Sequence, residues 1–193
     1  MLGACAVGSH DESMEQNEQD IVRGKIERKR PEVVAVVVDG FLGRTSCSGT
    51  YIAERVVLTA AHCLRSDAIP GQTFVYFGKD FVTDSATLPA PPSGPASVWA
   101  RGETAIAHPA YDPAVNYPDL AIIYLDRALP FAPLPLYKAP VPSSVKRGEI
   151  VGWGGSRALT ADISEVEGSG VKRGATVKLL RSPTEADFQE EDP

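Results

Sequence analysis

The sequence predicts an all-β fold built around a six-stranded antiparallel barrel, and three observations carry that prediction. Apolar runs of strand length recur between turn signals through the first 130 residues. Sixteen prolines and seventeen glycines punctuate the chain, and no long stretch repeats apolar residues at helical spacing. The first run is Val33-Val34-Ala35-Val36-Val37-Val38, ended by the turn pair Asp39-Gly40. Thr50-Tyr51-Ile52 and Val56-Val57-Leu58-Thr59 follow, then Phe74-Val75-Tyr76-Phe77 before Gly78. Thr104 to Ala107 and Leu120 to Leu125 complete the six. Six short strands can close on themselves, which removes exposed edges.

Prolines divide the rest. The stretch from Pro89 to Pro95 reads as loop, and Pro130, Pro133, Pro135, Pro140 and Pro142 form a connector that cannot continue a central strand. Beyond it, Glu149 to Gly154 and Thr176 to Leu180 again have strand character. About fifty residues after the connector are too few for a second complete barrel. The organisation expected is a disordered acidic leader or propeptide at 1–20, a first barrel at 21–134, and a connector with the truncated start of a second barrel at 135–193.

The net charge of −6 is concentrated at the ends. Residues 1–22 hold five carboxylates and no basic residue, and residues 182–193 hold five more with none. Without those ten, fifteen acids face nineteen bases. The tails therefore read as solvated and poorly ordered. Lys25, Arg28, Lys29 and Arg30 form a short basic cluster without interleaved aromatics, which reads as a solvated loop and not a nucleic-acid site. No apolar run approaches the ~20 residues that span a bilayer.

Chemistry concentrates at Thr59-Ala60-Ala61-His62-Cys63. His62 follows an apolar strand and adjoins one of three cysteines. Cys47 lies close enough in sequence that a bridge to Cys63 would contribute ~3 kcal/mol in an oxidising compartment. Asp119 stands at the threshold of the apolar strand Leu120-Ala121-Ile122, where a carboxylate loses hydration unless it accepts hydrogen bonds. An imidazole N–H is the partner that also serves general-base chemistry. The blander readings are a surface histidine and a strand-start turn aspartate. The cysteine and histidine spacing lacks C-x-x-C or H-E-x-x-H, so no metal is expected, and no Gly-rich phosphate loop points to a nucleotide cofactor.

These residues resemble a known family. Thr59-Ala60-Ala61-His62-Cys63 is similar to the histidine motif of the chymotrypsin/trypsin-like serine peptidases, with Cys47-Ser48-Gly49 matching the other half of that family's disulfide. Asp119-Leu120-Ala121 resembles the catalytic aspartate motif. Ile21-Val22-Arg23-Gly24 resembles the mature N-terminus released on activation, His108-Pro109-Ala110-Tyr111 the segment before the aspartate, and Gly152-Trp153-Gly154 the opening of the second barrel. The resemblance covers about residues 21–180 and implies two barrels with a catalytic cleft between them. It implies His62 as general base, Asp119 as its orienter, a Cys47–Cys63 disulfide and Ile21 as an activation N-terminus. No cofactor is implied.

The chain departs from the family at the nucleophile. No Gly-Asp-Ser-Gly occurs. Gly168-Ser169-Gly170 lacks the preceding aspartate and lies early, and Ser156 in Gly154-Gly155-Ser156 fits no better. Asp20, where activation usually cuts after a basic residue, precedes Ile21. The resemblance thus implies a trypsin-like serine endopeptidase truncated before its serine and inactive as this chain, acting on peptide or protein substrates once completed. The alternatives are a non-catalytic pseudoprotease or binding module of the same fold, and a lipid-tethered envelope protein. A secreted or cell-envelope location is expected. Cys5, in Leu2-Gly3-Ala4-Cys5, is either the lipidation site of a bacterial lipoprotein signal or a free thiol, and a membrane is a partner only in the first case.

Overall fold

The computed structural model describes residues 24–64, 66, 68–78, 98–142, 144–153 and 170–178. Its strands are β1 (Lys25–Ile26), β2 (Val33–Gly40), β3 (Gly43–Ala53), β4 (Val56–Thr59), β5 (Ala68–Tyr76), β6 (Trp99–Ala107), β7 (Ala121–Leu125), β8 (Arg147–Gly152) and β9 (Arg173–Lys178). A 3-10 turn, Ala61–Cys63, follows β4. Six strands close into an antiparallel barrel in the order β2-β3-β4-β7-β6-β5, and β1-β9-β8 form a separate three-stranded sheet. The all-β architecture and the closed barrel agree with the sequence prediction.

The valine run of β2 explains how the two sheets meet. Side chains alternate across a strand, so a continuous apolar run suits a strand buried on both faces. Val34, Val36 and Val38 point into the barrel with Tyr51, Val57, Val75, Ile123 and Leu125. Val33, Ala35 and Val37 face the other way, onto Phe74, Tyr76, Trp99 and Trp153. Trp153 follows β8 and is 4% exposed, with its ring edge-on to Tyr76 at 5.5 Å. Its backbone N–H donates to Ser48 Oγ at 2.9 Å.

Two differences from the sequence prediction have clear physical causes. Asp39-Gly40 does not form the β2–β3 turn. β2 runs through Gly40, which pairs with Gly43, so the turn is Phe41-Leu42. Asp39 instead sits opposite Arg44 and accepts hydrogen bonds from its guanidinium at 2.5 and 3.0 Å. The basic cluster is exposed, as expected, with Arg28, Lys29 and Arg30 outside any strand, although Lys25 pairs with β9 and Arg30 Nη2 lies 2.6 Å from Glu149 on β8. β6 also begins earlier than its alternation suggests. The register shifts between Gly102 and Thr104, and a Cβ on Gly102 would come within 2.9 Å of Ile123 Cγ2.

Lys172 ties the second sheet to the barrel. It is 6% exposed, its Nζ donates to the carbonyls of Arg30 (2.5 Å) and Val33 (3.2 Å), and it lies 5.4 Å from the Trp153 ring centre. Loss of hydration pushes its pKa below the ordinary lysine value, against the opposing pull of Glu32 and Glu27. The unfolded chain therefore holds more protons than the native one between the lowered value and about pH 10.4. Stability from this group rises as pH climbs through that window. Urea midpoints measured from pH 8 to 10.4 should show the rise in the parent chain, and Lys172→Met should lose it.

Candidate active site

The barrel register brings together residues far apart in sequence. Thr59, the last residue of β4, pairs with Ala121, the first of β7. The chain leaving β4 and the chain entering β7 therefore meet at the same rim. His62 lies three residues beyond one strand end, and Asp119 two residues before the other. Thr59 Oγ1 donates to the Ser48 carbonyl at 2.9 Å, which holds the end of β4 against β3.

His62 occupies the middle of the 3-10 turn, where Cys63 N–H donates to Ala60 O and Leu64 N–H to Ala61 O. Its neighbours Ala61 and Cys63 are buried. Cys63 is joined to Cys47 of β3 by a disulfide with a Cα–Cα separation of 6.2 Å. The turn is thus anchored on both sides of the histidine while the ring projects from the rim with a third of its surface exposed.

Asp119 grips His62 twice. One oxygen, Oδ1, accepts from the His62 backbone N–H at 2.8 Å, and Oδ2 meets His62 Nδ1 at 2.6 Å. Partial burial raises the Asp119 pKa, but the hydrogen bonds and charge of His62 and the Ala61 amide outweigh it and hold the group below the ordinary aspartate value. An ionised carboxylate only accepts, so Nδ1 carries a proton, and in the neutral ring the lone pair falls on Nε2. The nearest sulfur to that lone pair is Cys63 Sγ at 3.5 Å, and a disulfide sulfur has no proton to give. In its neutral form the ring is an oriented imidazole with its basic nitrogen at an open rim.

A cleft of about 250 Å³ opens beside the aspartate, between the barrel and β8, with Val33, Ser48, Thr59, Asp119, Leu120 and Val151 among its lining residues. The contributions of Ser48 and of the His62 backbone amide had no signal in the sequence: a backbone donor has no residue type, and Ser48 acts through contacts set by register. Cys47 is bridged to Cys63 as the resemblance implies, and the two sulfurs lie with a His62 ring nitrogen inside a 4.8 Å group. Cys5, Ile21, Ser156 and Ser169 lie outside the described residues. Among the described residues, no helix is long and apolar enough to cross a membrane.

A family model described as Trypsin matches residues 21–189. Human azurocidin is 31% identical over 145 residues, covering 72% of this chain and 53% of its own length. An uncharacterized peptidase of Corynebacterium glutamicum (strain R) is 28% identical over 124 residues, covering 64% of this chain and 36% of its own length. The chain therefore spans about half or less of these curated relatives. Among solved structures, that of GrC superposes with a TM-score of 0.61 at 21% identity, covering 81% of this chain and 64% of that one, a likeness of fold.

Proposed function

Because the chain belongs to the trypsin family, we propose that His62 and Asp119 are the general base and its orienting carboxylate in a serine endopeptidase centre. The observation that carries this reading is the double grip of Asp119 on His62, at 2.6 Å to Nδ1 and 2.8 Å to the backbone N–H. It fixes both the position of the ring and its tautomer. In the proposed reaction, Nε2 takes the proton of a serine hydroxyl as its oxygen bonds to the scissile carbonyl carbon. The resulting imidazolium, stabilised by Asp119, returns that proton to the leaving amine as the C–N bond breaks. Peptides or proteins are the substrates, and no cofactor takes part.

The serine is not among the residues of this sequence in the family's Gly-Asp-Ser-Gly setting. In this reading the 193-residue chain carries half of the machinery and does not hydrolyse peptides by itself. A second reading is a non-catalytic binding module of the same fold that retains the dyad as a relic. An extracytoplasmic setting, secreted or in the cell envelope, is supported by the Cys47–Cys63 bridge. Lipidation of Cys5 would add a membrane anchor.

A serine-directed fluorophosphonate probe separates these readings. The chain alone should not be labelled, since His62 has no hydroxyl to activate. Joined to a trypsin-like C-terminal segment that carries a Gly-Asp-Ser-Gly serine, it should be labelled stoichiometrically, and His62→Ala should abolish that. A folded chimera that stays unlabelled favours the binding module, and labelling of the chain alone contradicts the assignment.

A further inference from the structure

We propose that, when the Cys47–Cys63 bridge is reduced, the two thiolates and His62 Nε2 form a binding site for one zinc-like soft cation, with Asp119 as its supporting carboxylate. The cluster exists because the disulfide fastens the 3-10 turn to β3 directly beneath the imidazole. The ring nitrogen and both sulfurs lie within 4.8 Å of one another.

The geometry is close to what tetrahedral zinc requires. With Zn–S about 2.3 Å and Zn–N about 2.0 Å, a tetrahedral edge between sulfur and nitrogen is ~3.6 Å and one between two sulfurs is ~3.8 Å. His62 Nε2 already stands 3.5 Å from Cys63 Sγ. The sulfur–sulfur edge is the one that must open, and breaking the bridge releases it. Three protein ligands leave a fourth position for an exchangeable ligand, and the His62 side chain in the cluster keeps a third of its surface exposed.

The second, independent observation is Asp119. A metal-bound histidine needs its other nitrogen protonated and held by a carboxylate or carbonyl, which sets the tautomer and raises the basicity of the ligating nitrogen. Asp119 Oδ2, 2.6 Å from Nδ1, supplies that support without rearrangement. The same contact that prepares Nε2 to accept a proton prepares it to bind a cation. The two uses exclude each other, because both need the one lone pair. The site goes beyond the peptidase reading and does not require a serine.

The chemistry balances with a phosphine as reductant. The phosphine gives two electrons to the S–S bond, water supplies the oxygen of the phosphine oxide and the two protons, and two thiols result. Binding of a divalent cation then displaces both thiol protons. Oxidised sulfurs are poor ligands, so the bridged chain should not bind.

The test is cobalt(II) titration of the full chain carrying Cys5→Ser, which removes the third thiol, with and without a phosphine. The reduced chain should bind one cobalt with thiolate charge-transfer and tetrahedral d–d absorption, and zinc should displace it. His62→Ala should weaken binding at least tenfold and alter the d–d bands, and Asp119→Asn should weaken it by about 10- to 100-fold. If reduction unfolds the chain, zinc should restore its near-ultraviolet circular dichroism, since binding energy then appears as folding energy. A reduced chain that neither binds cobalt nor refolds with zinc overturns the proposal. So does binding that is equal in the bridged chain or unchanged by His62→Ala.

Discussion

Replacing Asp119 by asparagine is expected to lower kcat of the chain completed with a nucleophile segment by about 10⁴, the loss known for the same change in trypsin, with little change in KM. The structure gives a specific reason. The His62 backbone N–H donates to Asp119 Oδ1 at 2.8 Å. In an asparagine at this position, only the amide oxygen satisfies that donor, so the NH₂ group must turn toward His62 Nδ1. There it donates where the carboxylate accepted, and the ring proton moves to Nε2. The nitrogen that should take the serine proton is then already protonated. Steady-state kinetics of the completed chain check this, and a loss below about tenfold would mean that the carboxylate does not set the tautomer.

Removing the disulfide is expected to have the largest effect on stability. The bridge closes a loop with a sequence separation of 16, for which loop-closure entropy corresponds to about 3 kcal/mol. Cys63 is 2% exposed and packed beside the histidine turn, while Cys47 stands opposite Val36 in the β2–β3 ladder. Cys47→Ala with Cys63→Ala should therefore lower the urea midpoint and increase the mobility of His62. Equilibrium unfolding measures the first effect and amide exchange in residues 60–64 the second. A loss below 1 kcal/mol would place the restraint on the turn elsewhere, in the contacts of Ala61 and Thr59.

The barrel was legible because its strands are locally explicit. The valine run of β2 and the run from Ala121 to Leu125 are apolar stretches bounded by turn residues, and closure follows from their number. Less legible were contacts that depend on register or on distant partners. Asp39-Gly40 has the composition of a turn, yet the Asp39–Arg44 cross-strand pair extends the ladder past it. The basic cluster is solvated as its composition suggests, but its exposed pair with Glu149, 119 residues away, had no local signal. Lys172 carried no signal at all: its burial comes from Trp153 and the carbonyls of Arg30 and Val33 at the entry to β2, and the pattern around it is that of an ordinary surface lysine.

The site shows the same division. His62 and Asp119 stood out by residue type and setting, whereas the backbone donor that aims Asp119 depends on the conformation of the Ala61–Cys63 turn. The adjacency of the Cys47 sulfur to the imidazole depends on β3 running beside β4. Motif spacing compares positions along the chain, so it passed over a three-residue cluster assembled by antiparallel pairing.

Nitrogen-15 NMR of the His62 ring at neutral pH reads the tautomer imposed by Asp119 in the chain as it stands. The expected result is a neutral ring protonated at Nδ1, with the unprotonated signal at Nε2 and reversal of the two in Asp119→Asn. A ring protonated chiefly at Nε2 in the parent chain, or one unaffected by the substitution, would contradict the account.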